Sequence, residues 1–172
     1  MSKRIRQYLG IVIAIICYYI VHEGAHYLVA FFMGTFKQII FMGLGVQVDV
    51  FRENMTDFQL GIFCLAGALA TLAIAVVLIF AAPCICKAVS KVFRACLYYI
   101  TIVFLFLDPL YLSVLCGFFG GGDMNGIGLL CPEVIARVGF GVLFLINIVI
   151  FIKAVLPKYK ESFASDALQA DG

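Results

Sequence analysis

His22-Glu23-Gly24-Ala25-His26 interrupts a stretch that is otherwise almost pure hydrocarbon, with apolar residues running from Tyr8 to Val21 before it and from Tyr27 to Met33 after it. Two imidazoles and a carboxylate are costly inside a bilayer, and where they are kept they usually serve a function. His22 and His26 are also the chain's only two histidines. On a helix, side chains at i and i+4 stand one above the other. Both rings can therefore reach one zinc ion at ~2.0–2.1 Å. Glu23, one residue along, falls beside that ion rather than on it. There a carboxylate serves as general base towards water whose acidity the metal raises.

A catalytic zinc takes a third protein ligand and keeps one position open for water. With no further histidine, the third ligand is expected to be a carboxylate or, failing that, a thiolate. Asp123 is the first candidate. It lies in the glycine-rich run Gly117-Phe-Phe-Gly-Gly-Gly-Asp-Met-Asn-Gly-Ile-Gly128, whose backbone can fold tightly against a buried site. Asp108, deep in an apolar segment and followed by Pro109, is the alternative third ligand. If it does not ligate, Asp108 is placed to orient a histidine from behind. Pro109 loosens its helix and frees a backbone carbonyl.

Composition sets the class. Of 172 residues, 65% are hydrophobic and only 13% charged, with mean hydropathy +1.12, which excludes a soluble domain of this size. The basic residues sit in short flanking clusters rather than on one face, so no nucleic-acid partner is expected. Seven cysteines, scattered through or beside apolar segments, read as small buried hydrophobes. Cys84-Ile-Cys86 lacks the further ligands of a zinc knuckle. The first apolar run is too long for a signal-peptide core and has no Ala-x-Ala site, so it is expected to be retained.

Four segments have the ~20 apolar residues that a spanning helix needs: about 8–33, 58–82, 95–118 and 134–156. Between the first two, residues 34–51 are rich in β-branched and aromatic residues, and Val46-Gln-Val-Asp-Val50 alternates strictly. This predicts a short β-hairpin turning at Gly43 or Gly45. The expected fold is thus an all-α integral membrane protein of about four transmembrane helices with a small β-hairpin between the first and second. Residues 1–160 form a single membrane-embedded domain, and 161–172 a short, polar, frayed tail. Residues 84–94 suggest a basic amphipathic surface helix. Gly61, Gly67 and Ala68 read as small residues that permit close helix packing. Asn147 is expected to bond to another helix.

Nine basic residues fall on one side of these spans: Lys3, Arg4 and Arg6; Lys87, Lys91 and Arg94; Lys153, Lys158 and Lys160. The positive-inside rule then predicts both termini cytoplasmic, with the hairpin and the glycine-rich run outside. A multi-pass protein of a prokaryotic cell membrane is the expectation from its compact size.

These motifs resemble those of the site-2 protease family of intramembrane zinc metalloproteases. His22-Glu-Gly-Ala-His26 matches the family's His-Glu-x-x-His on the first core helix. Leu65-Ala-Gly-Ala-Leu-Ala-Thr71 resembles its Ala-Gly-Pro-x-x-Asn stretch, with Ala68 for the Pro and Thr71 for the Asn. Asp123 in Gly-Gly-Asp-Met-Asn-Gly126 resembles the Asp-Gly motif that supplies the third ligand, with Met124 where the family has Gly. The likeness covers about residues 8–128. It implies a metalloprotease-like domain holding Zn2+ on His22, His26 and Asp123, with Glu23 catalytic. It implies a transmembrane protein as substrate and a hairpin that helps hold the substrate strand. No inserted PDZ-like domain is visible, so gating falls to something else, such as a regulatory membrane partner. Two other functions fit the same residues: a non-catalytic metal-binding membrane scaffold, and a proton- or ion-translocating protein using His22, Glu23 and Asp108.

Overall fold

The computed structural model describes residues 2–43, 45–119 and 122–168. Gly120 and Gly121 of the glycine-rich run, and the last four residues of the expected tail, lie outside the described residues. The chain is an α-helical integral membrane protein, and among the described residues four helices are long and apolar enough to span a bilayer. Helix α1 (Lys3–Phe32) leads into strands β1 (Phe36–Met42) and β2 (Gly45–Val50). Helices α2 (Asp57–Ile85) and α3 (Lys91–Leu110) follow. The third span continues through a π turn, Tyr111–Leu115, and Cys116–Phe119. The short helix α4 (Gly122–Ile127) precedes α5 (Glu133–Ile150), which runs through a second π turn into α6 (Leu156–Leu168).

Local signals start these helices. Ser2 caps α1 through Ile5 N–H, and Ser90 caps α3 through Phe93 N–H. Thr56 and Gln59 form a reciprocal capping box at α2, which satisfies two otherwise orphaned donors. The third span is the central one, with 44% of its apolar stretch buried, whereas the last has 11% and mostly faces lipid.

Helix α1 packs along a single ridge. Gly10, Ala14, His22, His26 and Ala30 are its buried residues, and Tyr18 completes a series in steps of four. Such a ridge settles into the grooves of neighbouring helices. Three apolar clusters stack along the bundle. One, with Phe63, Cys64, Leu112 and Met124, lies at the hairpin end. A middle one holds Ala14, Ala75 and Phe104, and a third, at the opposite end, holds Ala82, Val155 and Tyr159.

The expected hairpin is present as an antiparallel pair, with Phe41 opposite Val46 and Ile39 opposite Val48. Gly43 turns it at φ +60°, a conformation that side chains disfavour. The strict alternation in β2 puts Val48 in the core and leaves Gln47 exposed.

Pro109 shapes the third span. It has no N–H, so the carbonyl of Leu105 loses its helical donor. Asn147 of α5, 4% exposed, donates to that carbonyl through Nδ2 at 2.6 Å. Asn147 thus bonds another helix as expected, and the carbonyl freed by Pro109 is the one it serves.

Two expectations are corrected. Residues 84–94 form no surface helix: α2 ends at Ile85, a tight turn comes next, and α3 begins at Lys91. The chain past Lys160 is not frayed where it is described, since α6 continues to Leu168. Arg94 Nη1 donates to Ser162 Oγ at 2.6 Å, and Ser162 Oγ donates to Cys86 O at 3.0 Å, which fastens α6 to the α2–α3 turn. This buried anchor involves residues far apart in sequence, so local polarity did not announce it.

Asn147→Leu removes the donor and leaves Leu105 O bare in an apolar setting. Equilibrium unfolding in mixed detergent should show a loss of about 1 kcal/mol.

Candidate metal centre

His22 and His26 sit one turn apart on the buried ridge of α1, and their Nε2 atoms lie 3.1 Å apart. Asp123, in the first turn of α4, reaches them from the opposite side. Its Oδ2 is 3.2 Å from His22 Nε2 and its Oδ1 is 3.5 Å from His26 Nε2. One ligand atom from each of the three residues can be chosen so that all lie within 4.8 Å of one another, and this is the group among the described residues that could hold a metal ion.

The donor set fits a metal. Two ligands at ~2.0–2.1 Å from one zinc, arranged tetrahedrally, stand about 3.3–3.4 Å apart. The two Nε2 atoms, 3.1 Å apart, and His22 Nε2 with Asp123 Oδ2, 3.2 Å apart, lie close to that edge length, while the 3.5 Å contact to His26 is made by the other carboxylate oxygen, Oδ1. The hydrogen-bond partners of the rings point the same way. His26 Nδ1 donates to the carbonyl of Phe63 at 2.7 Å, which leaves Nε2 with its lone pair. His22 Nδ1 lies 3.2 Å from Asp108 Oδ1. That approach is electrostatic rather than a well-aligned hydrogen bond, since Nδ1 has no partner in hydrogen-bond geometry. With Nε2 of His22 deprotonated, the two Nε2 lone pairs face each other at 3.1 Å, a repulsion that a cation between them would relieve.

Asp108 is thereby separated from the ligand position. It is 1% exposed and receives Tyr18 Oη–H on Oδ1 and Thr71 Oγ1–H on Oδ2, each at 2.5 Å. With its oxygens engaged in this way, it faces the rear nitrogen of His22, not the front. A carboxylate behind a ligating histidine fixes the ring and raises its basicity.

Small residues make the convergence possible. A Cβ on Gly67 would stand 2.6 Å from His22 Nε2 and 2.7 Å from His26 Nε2. Only the bare backbone of α2 admits the imidazoles. Gly126 of α4 packs equally closely on Cys64 of α2, and this contact brings Asp123 in. Gly61 likewise seats the side chain of Leu130. By sequence, Gly67 reads only as a packing residue, and Tyr18 does not stand out from its apolar neighbours. The signal for Tyr18 is its spacing of four before His22. Its ring stacks on His22 with centroids 5.1 Å apart.

Glu23 points off the ridge, towards the hairpin. Val48 N–H donates to its Oε2 at 3.0 Å, and the carboxylate stays within electrostatic reach of both histidines and Asp123. A groove of about 310 Å³ opens beside it, walled by Tyr19 and Tyr27 of α1 and by Ile39, Val46 and Val48 of the hairpin. Asp123 sits outside the four spans. Burial opposes its ionisation, but contacts from His22 and His26 outweigh that and bring its carboxyl down to about 2. An ionised side chain, 22% exposed, suits an anionic ligand that water can still reach.

No family model matches the chain, and no curated protein or solved structure matches it.

Asp108→Asn keeps the size but weakens the field on His22. If the cluster holds zinc, its affinity should fall by about 10–100-fold, as read by competition with a chromogenic chelator. The same assay on Asp123→Asn should show the larger loss, because that change removes the negative charge that faces both rings.

Proposed function

We propose that the chain is an intramembrane zinc metalloprotease that hydrolyses a peptide bond of a transmembrane protein substrate. The observation that carries this reading is the convergence of His22, His26 and Asp123 inside a helix bundle, one donor atom from each within 4.8 Å of the others, with the Glu23 carboxylate in electrostatic reach of all three. The likeness of the His22–His26 block and the Asp123 segment to the site-2 protease family supports it.

Zinc, when bound, polarises the scissile carbonyl and makes water more acidic. The chain's own residues supply the rest. Glu23 takes the proton of the attacking water and returns it to the leaving amine. With Val48 N–H on Oε2, Oε1 remains for that proton. Asp108 steadies the ring of His22, and Phe63 O that of His26. A hydrogen-bonded substrate helix shields its carbonyls and must unwind. The unwound segment then adds as a strand along the hairpin, with its side chains in the apolar groove beside Glu23.

In this reading the protein lies in a prokaryotic cell membrane, with both termini and the basic clusters cytoplasmic. A second reading is a metal-binding scaffold without catalysis. It is favoured by the hydrogen bond that engages Glu23 with the hairpin. The ion-path reading is weaker, because Asp108 is already held by Tyr18 and Thr71.

The deciding experiment uses protein purified in detergent and a transmembrane test substrate. We expect about one zinc per chain, lost in His22→Ala. Glu23→Gln should keep its zinc and cleave about 10²–10⁴-fold more slowly. Zinc without cleavage of any substrate leaves the scaffold, and no zinc in the unaltered protein removes both metal readings.

A further inference from the structure

A second site lies at the other end of the bundle, away from the hairpin. A cavity of about 650 Å³ opens between the N-terminal turns of α1, the start of α3 and the face of α6. This falls within the ~300–1,000 Å³ range of small-molecule sites. Lys3 and Arg6 enter it from α1, Lys91 from α3 and Lys160 from α6. No acidic side chain lines it among the described residues. Its inner wall is aromatic and aliphatic, with Tyr98, Tyr99, Phe163 and Leu156.

The wall is built rather than incidental. The bonds from Arg94 to Ser162 and from Ser162 to Cys86 O hold α6 in place beside it. Tyr98 packs on Tyr159 at 5.0 Å and on Phe163 at 6.2 Å between ring centroids. On the other side, α1 crosses α3 closely at Gly10, where a Cβ would stand 2.6 Å from the ring of Tyr99. The cations thus come from three separate helices that the packing holds together over an apolar floor.

We propose that this cavity binds an anionic phospholipid, with the headgroup phosphate held by Lys3, Arg6 and Lys160 and the acyl chains lying on the aromatic wall. Charge complementarity selects the occupant. Basic pockets between membrane helices recognise anionic headgroups, and cationic side chains suit phosphate as partner. A zwitterionic lipid brings its own cation into the same cluster and is disfavoured. Free inorganic phosphate meets the cations but leaves the apolar wall bare. The site does not depend on the metal centre, which lies towards the hairpin end.

The test is delipidated protein in neutral detergent, with retained lipid read by native mass spectrometry and thermal unfolding followed in parallel. The probes are dioleoyl phosphatidylglycerol, dioleoyl phosphatidylcholine and inorganic phosphate. The phosphatidylglycerol is expected to stay bound and to raise the melting temperature, and the other two are not. A triple variant, Lys3→Gln, Arg6→Gln and Lys160→Gln, should bind phosphatidylglycerol at least about tenfold more weakly. The charge-preserving Lys3→Arg, Lys160→Arg variant should bind like the unaltered protein, and this separates loss of charge from loss of fold. Equal retention of the two lipids, unchanged binding in the triple variant, or an equal shift with inorganic phosphate would each overturn the proposal.

Discussion

Two imidazole nitrogens held 3.1 Å apart inside an apolar helix bundle are a constraint to which much of the rest of the molecule answers. Neither ring is free to turn away. His26 is tied through Nδ1 to a backbone carbonyl of α2, and His22 faces a buried carboxylate on α3. Each ring is thus oriented by a different neighbouring helix, and both present their remaining nitrogen to the same point. With both of these nitrogens deprotonated, the arrangement is one that a cation between the rings would relieve. It persists because α1, α2 and α3 are packed around it through residues too small to interfere.

The third span shows how a backbone irregularity serves this site. Pro109 breaks one hydrogen bond immediately after Asp108, and a π turn comes next at Tyr111–Leu115. Such turns frequently accompany functional sites, where they change the direction of the adjoining helical residues. The carbonyl left over is taken by Asn147, which couples the peripheral α5 to the central span. Asp108 itself gathers Tyr18 from α1 and Thr71 from α2. Three helices therefore meet on one carboxylate, and a change in their packing reaches His22 through it.

The hairpin and the basic end give the bundle two unlike faces. Near the hairpin, Glu23, Val48 and an apolar groove lie beside the His22, His26 and Asp123 cluster. At the far end, cations from three helices surround an aromatic cavity. The ridge on α1, small or ring-bearing at every fourth residue from Gly10 to Ala30, runs between the two. It lets one helix pack closely along its whole length while offering different chemistry at each end.

Taken alone, the chain disclosed the elements and the histidines. Apolar length located the four spans, alternation found the hairpin, and spacing of four put His22 and His26 on one face. These are local properties, set by the periodicity of a helix or strand and the cost of polar groups in hydrocarbon. Which carboxylate meets the rings was not local. Asp123 and Asp108 were both candidates in sequence, and only the packing of α4 on α2 through Gly126 and Cys64 puts Asp123 in front of the imidazoles. The same holds for Gly67, whose missing side chain seats the rings, and for Arg94 with Ser162, which turns an expected tail into a docked helix. Each of these contacts joins residues tens of positions apart, so no window of sequence contains both partners, and the fold alone decides between them.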